Sequence, residues 1–157
     1  MLAELPPAGT HPDLKIIPLV TDRLVVMARQ GHPLLGRRRE TRALLDYAWV
    51  MPPTGTRARQ RLDALFTARN LPPPDVHVET NSMAFLLHVL RRSDLLTFAF
   101  RTTLDATDGK GLVVLNVPAL MADREAGIIL RPVTGLSPAA QSLITTLSAI
   151  CTRDPRN

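Results

Sequence analysis

The chain has 157 residues, 45% of them hydrophobic, and 19 Lys and Arg against 14 Asp and Glu give a formal charge of +5. That is enough apolar material for one compact domain or two small lobes, yet no apolar run approaches the length of a membrane span, and the opening M-L-A-E-L-P-P-A-G-T-H-P-D lacks the basic and apolar regions of a signal peptide. One cysteine, Cys151, excludes an internal disulfide or a multi-cysteine zinc site and fits a reducing compartment, while 4% aromatic residues leave no stacking platform for single-stranded nucleic acid.

In chain order, Leu14–Leu19 reads as a short strand and Leu24–Ala28 as a buried one, ended by the turn Gln30-Gly31-His32-Pro33. Three arginines, Arg37–Arg39, precede a short helix over Thr41–Asp46. Ala48–Met51 is a strand stopped by Pro52-Pro53. Residues 56–69 carry Ala58, Leu62, Leu65 and Phe66 on one helical face, and Asn70 and Pro72–Pro74 end that helix. Val76–Thr80 alternates like a strand, and Ser82–Arg92 is a helix with Met83, Leu86, Leu87 and Leu90 at core spacing. Leu95–Phe100, Leu112–Val117 and Gly127–Val133 are strands. Ser137-Pro138 opens a last helix to about Ile150, with Pro where a lost donor does no harm. Strands alternating with helices, apolar on both faces, predict an α/β fold with a parallel sheet covered on both sides. The arginines, spread over three segments, read as solvated faces rather than a nucleic-acid groove.

Two places on this plan carry polar chemistry. In Trp49–Arg57, W-V-M-P-P-T-G-T-R, a strand hands over to a helix through Thr54, Gly55 and Thr56, with Arg57 beside them. Thr80, Asn81 and Ser82 do the same at the next strand. In open α/β sheets ligands bind beyond the carboxyl ends of strands. There the glycine lets backbone approach closely, the hydroxyls either cap the helix or contact a ligand, and first-turn N–H groups favour an acceptor-rich group. His11, His32, His77 and His88 have no metal-ligand spacing, and no nucleophile elbow, phosphate loop or carboxylate pair is present. A polar site without nucleophile, base, metal or cofactor points to a binding module, not an enzyme.

D-R-L-V-V-M-A-R-Q-G-H-P-L (Asp22–Leu34), A-W-V-M-P-P-T-G-T-R (Ala48–Arg57), N-L-P-P-P (Asn70–Pro74), V-E-T-N-S (Val78–Ser82) and L-S-P-A-A-Q-S-L-I (Leu136–Ile144), read in this order, resemble the effector-binding domain of LysR-type transcriptional regulators from about Leu14 onward. Within the family the resemblance is to the branch of sugar-responsive regulators of transport genes and of aromatic-degradation regulators. The resemblance implies two Rossmann-like lobes of the type II periplasmic-binding-protein fold, hinged by two crossover strands, with the effector in the cleft. Residues 22–109 would form one complete lobe. Residues 1–21 and 110–157 would supply a crossover and the closing pieces of a partial one, and the helix-turn-helix DNA-binding domain would lie outside the chain. Effector contacts would come from Thr54, Gly55, Thr56, Arg57, Thr80, Asn81, Ser82, Phe100 and Arg101, and the effector would be a sugar, a carboxylate or an aromatic acid. The family pattern also implies a cytoplasmic regulator that touches DNA only through the absent domain, has no membrane partner, and pairs as a dimer, or a tetramer at full length. Residues 76–92 would contribute to that pairing, with Phe85, His88 and Val89 off the core face. Ser93-Asp94 stands where the family has a glycine-rich turn, and Phe100-Arg101 where it has Leu-Pro. The same fold serves solute-binding proteins for transport, the alternative reading. An enzyme resembling porphobilinogen deaminase would need a cofactor-bearing cysteine by the cleft, whereas Cys151 falls on the terminal helix.

Overall fold

The computed structural model describes residues 1–6, 9–36, 40–105, 109–131 and 135–152; Arg37–Arg39 and the expected strand end at Val133 lie outside them. The chain divides into two compact units, Arg23–Ala122, and Met1–Asp22 with Asp123–Asn157.

In the Arg23–Ala122 unit the sheet is built outward from the second half of β2 (Lys15–Arg29). Leu24, Val26 and Ala28 face one apolar cluster with Leu62 and Phe66 of α1 (Arg57–Thr67). Val25 and Met27 face the other, with Leu86, Leu87 and Leu90 of α2 (Met83–Arg91). A strand covered on both faces carries no polar alternation, which is why this stretch is apolar throughout. On one edge β2 pairs antiparallel with β5 (Thr97–Phe100), Val26 opposite Phe98. On the other it pairs antiparallel with β6 (Leu112–Leu115), Val26 opposite Leu115. β3 (Trp49–Met51) pairs parallel with β4 (Val76–Glu79) and meets Leu96, just ahead of β5, in a parallel bridge. Along this unit the strands therefore run β4-β3-β5-β2-β6.

The sheet is mixed, not uniformly parallel as the pattern implied. Only β4, β3 and the start of β5 are parallel; β2 opposes both its neighbours. A strand buried on both faces reads alike in either direction, so periodicity carried no information on its sense. The two expected strands 14–19 and 24–28 are one 15-residue strand. Pro18 does not break it because it lies in the part that β5 and β6 do not reach, and an edge position tolerates a missing N–H. Met83, expected on the core face of α2, is 45% exposed: spacing defines a face but not how far along the axis the partner surface extends.

α1 packs Phe66 edge-on against Trp49, with centroids 6.2 Å apart and planes at 86°, an arrangement worth about 1 kcal/mol beyond its buried area. It ends where Asn70 takes φ +56°, a conformation asparagine tolerates better than most residues, and Leu71 N–H reaches back to Phe66 O at 3.1 Å. Thr41–Asp46 is a 3-10 helix, and α3 (Thr102–Asp105), which no pattern announced, follows β5.

In the other unit β1 (Leu2–Glu4) pairs antiparallel with β7 (Ala122–Leu130), Ala3 opposite Gly127, and β7 adjoins the first half of β2. A Cβ on Gly127 would run into Ile17 O and stand 3.0 Å from Pro18 Cα, so only glycine fits where β7 lies beside β2. Asp22, buried, lies 3.9 Å from the Arg124 guanidinium. α4 (Pro138–Thr152) begins at its proline as expected, and Ser137 Oγ accepts from Ala140 N–H at 3.2 Å. Among the described residues no helix is long and apolar enough to cross a membrane.

Candidate functional site

β4, β3 and β5 run parallel side by side, so their carboxyl ends emerge along one edge of the sheet. All nine residues expected to hold an effector lie at these ends, within one unit: Phe100 closes β5, Arg57 opens α1, and the other seven are in the loops that follow the strands. Two backbone bonds fasten this edge: Thr80 N–H donates to Met51 O at 3.0 Å, and Arg101 N–H to Arg23 O at 2.8 Å.

The β3–α1 loop is a tight turn in which Thr56 N–H donates to Pro53 O at 3.3 Å and Gly55 takes φ +91°. That value at the third turn position is what a type II turn requires and glycine supplies. A Cβ there would meet nothing within 4 Å, so among the protein's own atoms it is the backbone conformation that calls for glycine. Thr56 is the N-cap of α1 but its side chain does not cap. Its hydroxyl donates back to Pro53 O at 3.0 Å. The first-turn N–H groups of α1, which have no acceptor inside the helix, are left to other partners, with Arg57 exposed beside them.

The β4–α2 loop is closed on itself. Thr80 Oγ1 accepts from Ser82 N–H at 3.1 Å, and Ser82 Oγ accepts from Phe85 N–H at 3.3 Å, an ordinary N-cap. Of the alternatives left open for the two junctions, capping holds for Ser82 and not for Thr56. Thr54 and Asn81 are exposed. Arg101 is exposed too, while Phe100 is half-buried against the α1-side cluster.

Two charged residues the sequence reading passed over belong here. Arg59, on the first turn of α1 with its side chain 12% exposed, reaches Asp63 Oδ1 through Nε at 3.3 Å and Glu79 Oε1 through Nη1 at 3.4 Å. The Arg59–Asp63 spacing of four on a helical face was the available signal; Glu79, at the end of β4, had none. Among the described residues no three His, Cys, Asp or Glu side chains gather as a metal site.

The sheet, its helices and the polar carboxyl edge define an α/β domain of the type II periplasmic-binding-protein class. The LysR substrate binding domain family matches residues 1–151, and the chain belongs to that family. It is 32% identical over 154 residues to the HTH-type transcriptional regulator GalR of Pseudomonas putida, covering 97% of this chain and 38% of that protein. To the HTH-type transcriptional regulator GbpR of Azospirillum brasilense it is 29% identical over 132 residues, covering 82% and 39%. The chain thus spans about two fifths of the length of these curated relatives. Among solved structures it superposes on the regulatory domain of Synechocystis PCC6803 CcmR in complex with 2-PG with a TM-score of 0.80 at 23% identity, over 98% of this chain and 73% of that one. The effector binding domain of QuiR in complex with shikimate gives 0.69 at 17%, over 94% and 69%.

Proposed function

We infer that the chain is the effector-sensing part of a LysR-type transcription regulator. In this reading a small polar metabolite docks at the carboxyl edge of β3, β4 and β5, and its occupancy alters how the longer protein binds DNA. The observation that carries it is the asymmetry of the two polar junctions. The α2 terminus satisfies itself through Thr80 and Ser82, whereas the α1 terminus has no side-chain cap and stands beside Arg57. An acceptor-rich group such as a carboxylate is matched to α1, and hydroxyls of the same molecule to Thr54, Thr80 and Asn81. The ligands named for the CcmR and QuiR domains, 2-PG and shikimate, support small-molecule binding on this fold. The edge offers donors, acceptors and a wall, which suits recognition rather than bond-making.

Calorimetric titration with shikimate, aromatic carboxylates and neutral monosaccharides tests this. A hydroxylated carboxylate is expected to bind, and Thr54→Val to weaken it about fivefold, as loss of a bond worth roughly 1 kcal/mol requires. A panel in which only neutral sugars bind, indifferent to Arg57→Ala, would remove the carboxylate assignment. DNA contact belongs to the rest of the regulator, so this chain alone is expected to show no sequence preference in gel-shift titrations at physiological salt.

A further inference from the structure

We propose that Arg59 is a positioning residue that holds the β3–α1 and β4–α2 loops in register, acting through Glu79 and without touching the ligand. The inference rests on reading those loops as the effector site and adds the means by which their spacing is set. Arg59 sits on the first turn of α1, three residues after Thr56. Its guanidinium spans to Asp63 on its own helix and to Glu79 at the end of β4, one residue before Thr80. Asp63 orients the guanidinium along α1, and Glu79 receives it on the other strand's side. The two loops share one backbone tie, Thr80 N–H to Met51 O, which crosses between the same strands. An exposed ion pair contributes little to stability, but this arginine is largely shielded at 12% exposure while both carboxylates remain accessible at 37% and 45%. The planar fork fixes two directions at once, which a lysine cannot do. With its charge met by two carboxylates, Arg59 is committed to the scaffold, and Arg57 and Arg101 are the more exposed arginines near it.

Residue-resolved amide exchange on the whole chain without ligand tests the proposal, so its failure is separable from failure of the effector assignment. Arg59→Met keeps the apolar stem, and Glu79→Gln alters only an exposed carboxylate, so both variants are expected to fold. Each should speed exchange of the Thr80 amide about tenfold. The Val50 and Leu96 amides, bonded to Leu96 O and Ala48 O at 2.9 and 3.0 Å, should keep their rates. The double variant should be no faster than either single one, the signature of one shared interaction. Unchanged Thr80 exchange, equal acceleration at all three amides, or additive effects in the double variant would each overturn it.

Discussion

His32 shows how much a single side chain of the R-x-G-H-P-L stretch carries. It is buried, and Leu34 N–H, which can only donate, reaches its Nδ1 at 3.1 Å. The proton therefore sits on Nε2, which donates to Asp94 O at 3.1 Å. The ring lies 4.7 Å from Tyr47. The Asp94 carboxylate accepts from Arg29 Nε and Nη2, both at 2.7 Å, so the Ser93-Asp94 turn is clamped from two sides. Gly31 takes φ +76° to make the bend. His32→Ala strands a buried donor and weakens an acceptor, and should lower unfolding free energy by about 2–4 kcal/mol in urea titration. Gly127→Ala forces a Cβ onto the backbone of Ile17 and should cost about 2 kcal/mol or more by the same measurement. Gly55→Ala, with open space but a positive φ, should cost only about 1 kcal/mol. That His32 is structural was legible from its turn; its partner at Asp94, 62 residues away, was not, because no local pattern encodes it.

At the level of elements, the hydroxyls that open α1 and α2 were indistinguishable as sequence, since N-cap preference counts an oxygen and not its bonding sense. The preceding turn decides. Pro53-Thr54-Gly55 brings Pro53 O within reach of the Thr56 hydroxyl, which donates; nothing comparable precedes Ser82, whose oxygen accepts. Ser82→Ala should therefore cost about 1 kcal/mol of stability through the lost cap, and Thr54→Val, at an exposed hydroxyl, less than half of that, while effector affinity responds the other way round. Thermal melts beside calorimetry distinguish the two. A Ser82→Ala variant with unchanged melting temperature would remove the cap assignment. The helices themselves were legible because long apolar periodicities are self-announcing. β1 was not: three residues, Leu2–Glu4, become a strand only through pairing with β7 more than a hundred residues on.

Across the whole molecule, order along the chain was legible and direction in space was not. The succession of strand, turn and helix, and the motifs on it, fixed the family. The antiparallel sense of β2 depends on where the chain enters the Arg23–Ala122 unit, which no window of sequence records. The outer face of α2 keeps Phe85 exposed at 50%, with His88 exposed and Val89 half-buried one turn on, on a helix whose other side is core. Self-association through this face is expected at micromolar concentration in sedimentation velocity, with Phe85→Glu shifting the boundary to the monomer. A single monomeric boundary for the unaltered chain would deny the face that role.

Because β2 runs through both units, residues 1–22 belong to a body whose remaining strand and helix lie about a hundred residues further on, and closing so long a loop costs entropy before any contact offsets it. The Arg23–Ala122 unit is contiguous and can acquire its order while residues 1–22 still wait. During that interval Ile16, Ile17, Leu19 and Val20, half-buried in the finished protein, lack their β7 neighbour, a vulnerable window for misassociation. Pulse-labelled exchange during refolding should protect the Arg101 amide before the Leu5 and Ile129 amides, so that the unit assembled from two distant stretches of chain is the last to become structure.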